Sequence, residues 1–342
     1  MAAADPKSIL REIAHGAMLD AVQFQAALEI MSGEEASLAQ RAAFLALLRG
    51  RGERVEEITG AARLMRSRML RVEAPADAID IVGTGGDGHG TYNVSTAASL
   101  VVAGAGVPVA KHGNRAVSSK SGASDVLAAL GVNLDAPPAI VSQAIREAGV
   151  GFLWAPLYHP LMKAWGPVRA ELGFRSLFNL LGPISNPAGV ARQVIGVFGR
   201  EWVRPVAETL QALGSVRALV VHGADGMDEL TTTGPTWVAE LGDEGITTYE
   251  IMPQDAGLPL AGLDELAGGD AAYNAAAIRT LLDGARGAYR DIVVLNAAAA
   301  IMIAGKAANL ADGARLAAHS IDSGAARAAL ERLICVSNRN AD

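Results

Sequence analysis

The sequence predicts an α/β protein, with a small N-terminal helical domain followed by a larger α/β domain whose mostly parallel central sheet is covered by helices. Two observations support this prediction. Up to about residue 71, apolar residues recur only at helical spacing. From residue 79 onward, short apolar runs alternate with helical segments, as in βαβ units. We place the helical domain at residues 1–74 and the α/β domain at residues 75–342.

The N-terminal helices are predicted from capping residues and apolar spacing. Asp5 precedes a proline and marks the start of a first helix. Ser32–Glu35 has the S-x-x-E form of a capping box and predicts a helix over Ala36–Leu48. A further helix is predicted over Val55–Leu70, and Glu73–Asp77 is predicted to be a linker.

The α/β domain is predicted from its alternating segments. Its strands are the apolar runs Ile79–Val82, Val107–Ala110, Gly151–Trp154 and Arg217–Val221. Its helices are one from about Ser95, then Ser124–Leu130, Ala139–Ala148 and Val203–Leu213. Pro235–Leu241 and Gly245–Ile251 predict a β-hairpin appendage, after which Ala275–Leu333 is helical.

Composition excludes several classes of protein. The 342 residues include 29 Lys and Arg against 36 Asp and Glu, a net charge of −7, which disfavours non-specific binding to nucleic acid or an anionic membrane. The single cysteine, Cys335, excludes a disulfide framework within the chain. Since no signal peptide or membrane-length apolar run is visible, we expect a cytoplasmic protein.

A glycine-rich first loop, residues 83–96, follows the first predicted strand. Gly83, Gly85 and Gly88 satisfy the dinucleotide fingerprint G-x-G-x-x-G, but the acidic residue expected about 20 positions on is absent, and Lys111 stands there. Backbone N–H groups and donors at a helix N-terminus favour a phosphate site instead. The alternative is a flexible turn capped by Ser95.

A second loop, residues 111–122, follows the second predicted strand and concentrates basic and hydroxyl residues in an acidic chain. Ligands of open α/β sheets bind at this end of the strands, so anion binding is favoured over a solvated surface loop. Neither loop matches G-x-x-x-x-G-K-[ST], which argues against a nucleoside triphosphatase.

Three further candidates are less specific. Arg169 could clamp a carboxylate, or it could pair with Glu171. His159 has the ordinary interpretation of a loop histidine before proline. The adjacent acids Asp228 and Glu229 could hold Mg²⁺, or they could start a turn.

Five segments together resemble the anthranilate phosphoribosyltransferases, which are related in fold to nucleoside phosphorylases. They are GTGGDGHGTYNVST (83–96), KHGNRAVSSKSG (111–122), HPLMK…PVRAELGFR (159–175), FNLLGPISNPA (178–188) and HGADGMDELTTTGP (222–235). The resemblance implies transfer of the phosphoribosyl group of phosphoribosyl pyrophosphate (PRPP) to anthranilate in tryptophan biosynthesis. It also implies a homodimer, and a helical domain that takes in residues from about 161–181.

The resemblance also implies site residues. Those for PRPP are Gly83, Gly86, Asp87, Thr91, Asn93, Val94, Ser95, Thr96, Lys111, His112, Gly113, Asn114, Arg115, Ala116, Val117, Ser118, Ser119 and Ala123. Those for anthranilate are Gly83, Asn114 and Arg169, and those for Mg²⁺ are Ser95, Asp228 and Glu229. At Ala123 the family often has a serine that contacts PRPP, and here Ser124 is expected to cap the following helix.

The expected chemistry needs no catalytic Ser, Cys or His, because pyrophosphate leaves readily once its charge is neutralised and an aromatic amine is already nucleophilic. The alternatives are a pyrimidine nucleoside phosphorylase-like enzyme and a non-catalytic relative that binds nucleic acid. A NAD dehydrogenase is disfavoured by Lys111.

Overall fold

The computed structural model describes residues 5–85, 88–115 and 120–339. Its first four helices are α1 (Pro6–Ala14), α2 (Ala21–Ser32), α3 (Leu38–Arg51) and α4 (Val55–Arg68). The start of α1 is as predicted, since the Asp5 side chain accepts from the N–H groups of Lys7 and Ser8 at 2.7 and 3.0 Å.

The predicted capping box at Ser32 is wrong. Ser32 ends α2, and its hydroxyl donates back to the Leu28 carbonyl oxygen at 2.6 Å. Instead Ser37 caps α3: its hydroxyl accepts from the N–H of Gln40 at 3.2 Å, and the Gln40 side chain accepts from the N–H of Ser37 at 2.9 Å. A second S-x-x-E/Q pattern, nearer the apolar run, therefore provides the reciprocal pair.

Seven strands form one sheet in the order β3-β2-β1-β4-β5-β6-β7. They are β1 (Ile79–Gly83), β2 (Val109–Gly113), β3 (Val150–Trp154), β4 (Arg192–Gly196), β5 (Arg217–Gly223), β6 (Thr236–Gly242) and β7 (Gly245–Ile251). The first five strands pair in parallel, and β6 runs antiparallel to both of its neighbours. The mostly parallel sheet is confirmed.

Three details of the sheet differ from the prediction. Strand β4 was not predicted. The β6–β7 hairpin is no appendage, because β6 pairs with β5 from Ala218↔Leu241 to Gly223↔Thr236 and extends the sheet. Strand β2 begins two residues later than predicted, since Pro108 has no N–H to donate to a neighbouring strand. It also extends further, so that Lys111, His112 and Gly113 belong to the strand and not to the loop.

Besides 3₁₀ helices at Pro160–Ala164, Arg200–Trp202, Pro253–Ala256 and Leu263–Leu266, eleven more α-helices lie within the described residues. They are α5 (Val94–Gly104), α6 (Ala123–Leu130), α7 (Pro138–Ala148), α8 (Ala155–Tyr158), α9 (Gly166–Leu172), α10 (Leu177–Leu181), α11 (Val203–Ala212), α12 (Ala271–Leu282), α13 (Ala288–Ile303), α14 (Leu310–Asp322) and α15 (Ala325–Ser337). No helix in this described part combines the length and apolar character required to span a membrane.

The two faces of the sheet feed two apolar cores, because side chains alternate along a strand. Ile81 of β1 and Leu219 of β5 join the core that contains α5, α7 and α12–α15. Val82 and Val220, their neighbours in sequence, join the core formed with α1–α4 and α11. The sheet is therefore covered on both faces, as expected of parallel strands.

The mid-chain segment, residues 161–181, packs on the N-terminal helices α1–α4. The Trp165 ring lies 6.0 Å from the Phe44 ring and 4.8 Å from the Phe178 ring. Its indole N–H donates to the Ser32 hydroxyl at 2.9 Å, and Arg41 donates to the Ala164 carbonyl oxygen at 2.8 Å. These contacts support the proposal that residues 161–181 belong to the helical domain. The boundary at residue 74 stays a prediction.

Candidate active site

A cavity of about 490 Å³ opens where the parallel strands end at their carboxyl edge. The chain continues from β1 to β2 and β3 on one side and returns to β4 on the other, so the first loop leaves the sheet at its topological switch point. Every predicted site residue that the structure describes lines this cavity: Gly83, Thr91, Asn93, Val94, Ser95, Thr96, Lys111, His112, Gly113, Asn114, Arg115, Ala123, Arg169, Asp228 and Glu229. Gly86, Asp87 and Ala116–Ser119 lie outside the described residues.

Asp228 follows β5 and reaches the end of β1. Its Oδ2 accepts a hydrogen bond from the N–H of Gly85 at 2.6 Å. Two glycines make room for this approach. A Cβ at Gly83 would lie 2.3 Å from Asp228 Oδ2, and one at Gly196 would lie 1.5 Å from the Asp228 backbone oxygen. The acidic pair therefore depends on glycines at the ends of β1 and β4.

Gly196→Ala is expected to lower the free energy of unfolding by about 3 kcal/mol, because the new Cβ overlaps the Asp228 carbonyl and neither backbone can yield cheaply. Urea unfolding followed by tryptophan fluorescence measures the loss. Gly50→Ala in α3 is the matched control, since a Cβ there meets no atom within 4 Å, and it should gain about 0.5–1 kcal/mol. Equal urea midpoints for Gly196→Ala and the unmodified chain would contradict the crowding argument.

Glu229 lies at the N-terminus of α5. Its Oε1 accepts from the Ser95 N–H at 3.2 Å, so a carboxylate occupies the position where the sequence predicts phosphate. The Ser95 hydroxyl in turn accepts from Lys111 Nζ at 3.3 Å. Across residues 5–85, 88–115 and 120–339, no group of three His, Cys, Asp or Glu side chains could hold a metal ion. Two carboxylates and a hydroxyl still suit Mg²⁺, which prefers oxygen and takes much of its coordination from water and substrate phosphates.

Lys111 is a buried lysine in the middle of β2. Its Nζ donates to the Ile81 carbonyl oxygen at 2.8 Å and to Ser95. Burial lowers its pKa, and the charges of Asp80, Glu229 and Asp228 oppose that shift. The Lys111 Nζ therefore lies between the core and the acidic pair.

Asp80 and Asn186 are hydrogen-bonded to strand β2 on either side of Lys111. Asp80 accepts from the His112 N–H at 3.0 Å and from Asn186 Nδ2 at 2.7 Å. Asn186 also donates to the Ala110 carbonyl oxygen at 2.8 Å. Burial raises the pKa of Asp80 to about 6, against the opposing charge of Lys111. Sequence reasoning assigned Asp80 and Asn186 no role.

His112 and His159 form a buried pair on the cavity wall. His159 does lie in a loop before proline, as expected, but its burial and its partner were not predicted. Their Nε2 atoms are 3.2 Å apart, and His112 Nδ1 lies 3.0 Å from the Gly182 carbonyl oxygen. Burial lowers the pKa of His112 to about 3 and that of His159 to about 4, so both rings are neutral at pH 7. The carbonyl contact places the His112 proton on Nδ1, which leaves its Nε2 to accept from His159.

The histidine pair makes stability depend on pH. The folded pKa values of about 3 and 4 lie below the usual 6.5, so unfolding takes up protons, and the free energy of unfolding falls as the pH drops from about 6.5 to 4. His159→Gln is expected to flatten this dependence by about 1.4 kcal/mol per pH unit. Urea unfolding from pH 4.5 to 7 measures the slope, with the exposed His319→Gln as control. The same slope in His159→Gln and the unmodified chain would refute the assignment.

Arg169, on α9, is a cation at the cavity wall. Its guanidinium lies 5.6 Å from the centroid of the Phe178 ring. Burial lowers its pKa, and within the described part of the chain it forms no ion pair, with Glu171 or with any other carboxylate. The alternative of an Arg169–Glu171 salt bridge is therefore not realised, and the guanidinium is available to an incoming carboxylate.

Ser124 does not cap α6 as expected. Gly122 is the N-cap, and the Asp125 carboxylate accepts from its N–H at 2.9 Å. Ser124 lies inside the first turn of the helix, where its hydroxyl is buried and has no hydrogen-bond partner among the described residues. Ala123, at the position of the family's serine, lines the cavity with a methyl group.

The first loop is hydrogen-bonded to the segment 266–274, a contact that the sequence did not predict. The Gly268 N–H donates to the Gly90 carbonyl oxygen at 2.9 Å, and the Tyr92 N–H donates to the Leu266 carbonyl oxygen at 3.1 Å. Tyr92 also stacks on Tyr289, with ring centroids 4.2 Å apart. Leu266, Gly268 and Tyr289 lie about 175–200 residues from the first loop in sequence, so no local pattern indicates these contacts.

The fold and the cavity define a two-domain glycosyl transferase. Residues 7–69 match the model described as the glycosyl transferase family, helical bundle domain, and residues 75–327 match the glycosyl transferase family, a/b domain. An anthranilate phosphoribosyltransferase of Rhodopseudomonas palustris strain BisB18 is 60% identical over 334 residues, covering 98% of each chain. The chain belongs to the anthranilate phosphoribosyltransferase family.

Solved structures agree with this assignment. The anthranilate phosphoribosyltransferase of Thermus thermophilus superposes with a TM-score of 0.92 at 45% identity, covering 97% of this chain and 99% of that one. The Saccharomyces cerevisiae enzyme, solved in complex with PRPP and Mg, gives a TM-score of 0.89 at 28% identity, covering 97% of each chain. The expected fold class and family are confirmed, and the phosphorylase, nucleic-acid-binding and dehydrogenase alternatives are not supported.

Proposed function

We propose that this chain transfers the phosphoribosyl group of PRPP to the amine of anthranilate, giving N-(5-phosphoribosyl)anthranilate and pyrophosphate in tryptophan biosynthesis. The observation that carries the proposal is the composition of one cavity wall. Phosphate-type donors of two loops, an acidic pair and an arginine that forms no ion pair within the described part of the chain all face the same space. These groups match the diphosphate, the metal ion and the carboxylate that the reaction brings together.

The PRPP half of the site consists of the first and second loops. Backbone N–H groups of the first loop and the N-terminus of α5 favour phosphate oxygens, and Lys111 and Arg115 add positive charge. The guanidinium of Arg115, which lines the cavity, stacks over the Trp154 ring at 5.4 Å. The remaining predicted contacts of this half, including those outside the described residues, stay part of the proposal.

Ser95, Asp228 and Glu229 are the residues that would hold Mg²⁺. The bound ion would neutralise the charge that develops on the leaving pyrophosphate. The Glu229 carboxylate also accepts a hydrogen bond from the Ser95 N–H at 3.2 Å. Because an ionised carboxylate has about four acceptor sites on its two oxygens, this hydrogen bond is compatible with binding a metal ion.

The anthranilate half contains Gly83, Asn114 and Arg169. The Arg169 guanidinium would bind the anthranilate carboxylate, and the Phe178 ring on which it stacks would offer an apolar surface to the aromatic ring. The amine then attacks the anomeric carbon as the bond to pyrophosphate breaks, and it loses one proton. The nucleophile is neutral at pH 7, so the residues act by positioning both substrates.

A fluorescence assay tests the proposal. Purified protein is mixed with anthranilate, PRPP and Mg²⁺, and the loss of anthranilate fluorescence is followed, with controls that lack PRPP or contain EDTA. A loss that requires both PRPP and Mg²⁺ is expected. Folded protein that leaves the fluorescence unchanged would refute the proposed acceptor, and calorimetry with PRPP alone would then test the phosphate loops.

The proposal extends to assembly and location. We expect a homodimer in the cytoplasm, without nucleic-acid or membrane partners, in keeping with the net charge of −7. Light scattering after gel filtration tests the dimer, for which a mass near twice 35.2 kDa is expected.

A further inference from the structure

Asn274, in the first turns of α12, joins the two loops of the proposed PRPP site. Its side chain is 1% exposed. Its Nδ2 donates to Asn93 Oδ1 in the first loop at 2.8 Å and to the Ser121 hydroxyl in the second loop at 2.9 Å. Its Oδ1 accepts from the Gly269 N–H at 2.8 Å. One carboxamide thus spans two loops that leave different strands.

The neighbours of Asn274 reinforce the same connection. Asn93 Nδ2 donates to the Ser121 carbonyl oxygen at 3.3 Å, and the Ser121 hydroxyl donates to the Gly269 carbonyl oxygen at 3.2 Å. Gly268 packs against the first loop so closely that a Cβ there would lie 2.5 Å from the Thr91 carbonyl oxygen. The distance between the two loops is therefore fixed by their contacts with the segment 266–274.

The carboxamide of Asn274 is occupied by these contacts. Both of its Nδ2 hydrogens and its Oδ1 have protein partners, and Asn274 is not among the residues that line the cavity in the described chain. Asn93 and Ser121 do line it. Any effect of Asn274 on a ligand must therefore pass through its neighbours, of which Asn93 and Ser121 line the cavity themselves.

We infer that Asn274 is a positioning residue for PRPP, which sets the distance between the first and second loops. The inference rests on the proposed function, because it assigns both loops to the same substrate. A ligand that contacts two loops binds best when their spacing is fixed before it arrives, since it then pays no cost for ordering them. Anthranilate is expected to depend less on this spacing, because Arg169 lies on α9 and its other two assigned residues, Gly83 and Asn114, stand where the loops leave β1 and β2, positions that the sheet fixes.

Asn274→Asp tests the inference with little change in shape. The variant keeps an oxygen for the Gly269 N–H but loses both donated bonds and places a carboxylate oxygen against Asn93 Oδ1. We expect the calorimetric Kd for PRPP, measured without anthranilate, to rise about 10- to 100-fold, with a similar rise in the KM for PRPP. The KM for anthranilate should change less than about 3-fold.

The control is Asn338→Asp, which also removes amide donors, here to the carbonyl oxygens of Gly131 and Ile334 at 2.9 and 2.8 Å, away from the cavity. It should leave PRPP binding unchanged. If Asn274→Asp does not fold, Asn274→Ser replaces it, since the short hydroxyl cannot reach both loops, and the same split between the two KM values is expected.

Two results would overturn the inference. One is an unchanged Kd for PRPP in folded Asn274→Asp, and the other is an equal rise in both KM values, as general loosening of the fold would produce. Failure of the unmodified protein to bind PRPP would overturn the proposed function itself and this inference with it. Binding by the unmodified protein separates the two cases.

Discussion

Replacement of Asp228 by asparagine and Glu229 by glutamine together is expected to lower Mg²⁺-dependent kcat by about 100- to 1,000-fold. The two carboxylates supply the negative charge beside the first loop, and the double variant removes it while nearly preserving side-chain volume. Asp228 also accepts the Gly85 N–H, which an asparagine oxygen can still accept. The change therefore acts mainly on charge. Fluorescence assays over a range of Mg²⁺ concentrations measure both kcat and the half-saturating concentration.

The hairpin turn between β6 and β7 provides a matched control. Asp243 and Glu244 are also an adjacent acidic pair, and both are exposed. Asp243→Asn with Glu244→Gln makes the same change in net charge, so it should leave kcat and the Mg²⁺ dependence as they are. An unchanged Mg²⁺ dependence in the Asp228/Glu229 variant would refute the assignment of this pair to the metal.

Arg169→Ala is expected to raise the KM for anthranilate by about 30- to 100-fold and the KM for PRPP much less. The guanidinium is partly buried against Phe178 and has no described acidic partner, so its loss leaves no buried carboxylate behind. The effect therefore reports the missing contact with the substrate. Steady-state kinetics with each substrate varied in turn measures the two constants.

Arg175→Ala is the matched control for Arg169. Its guanidinium also stacks on an aromatic ring, that of Phe198 at 4.7 Å, but it is not among the described residues that line the cavity. It should leave both KM values within about 3-fold of the unmodified enzyme. Equal increases of the two constants in Arg169→Ala would contradict its assignment to anthranilate.

The strands and loops around the site were predictable where an apolar run is followed by a polar segment that contains glycine. The structure starts β1 at the predicted residue and extends β5 by two residues, and the polar segments after them line the cavity as their position at the strand ends implies. Strand β4 escaped prediction because it begins with Arg192 and Gln193. The Nε2 of the buried Gln193 donates to the Pro183 carbonyl oxygen at 2.9 Å, so a polar side chain is held inside the core by a contact that a hydrophobicity pattern does not show.

Contacts between distant segments were beyond the reach of sequence patterns. The His112–His159 pair depends on which loops the sheet order brings together, and neither residue has a local signal for the other. The same holds for Asn274, which lies 181 residues from Asn93 and 153 from Ser121. Side chains that follow a strand are predictable as lining a site, whereas those that hold it from another element require the tertiary structure.

The position of β4 between β1 and β5 also has a consequence for the order in which the chain can fold. The strand pairs with β1 on one side and β5 on the other, and Asp228 reaches the first loop across it. A nascent chain that has been synthesised as far as β3 contains both proposed phosphate loops but not the carboxylates of Asp228 and Glu229. These carboxylates follow about 145 residues after Gly83, the first glycine of the first loop. Such long-range closure slows folding, because chain entropy is lost before the contacts that repay it form. If both loops and the carboxylates bind the same substrate, as proposed, that substrate binds best to chains in which β4 has joined the sheet, and it stabilises the folded state by mass action.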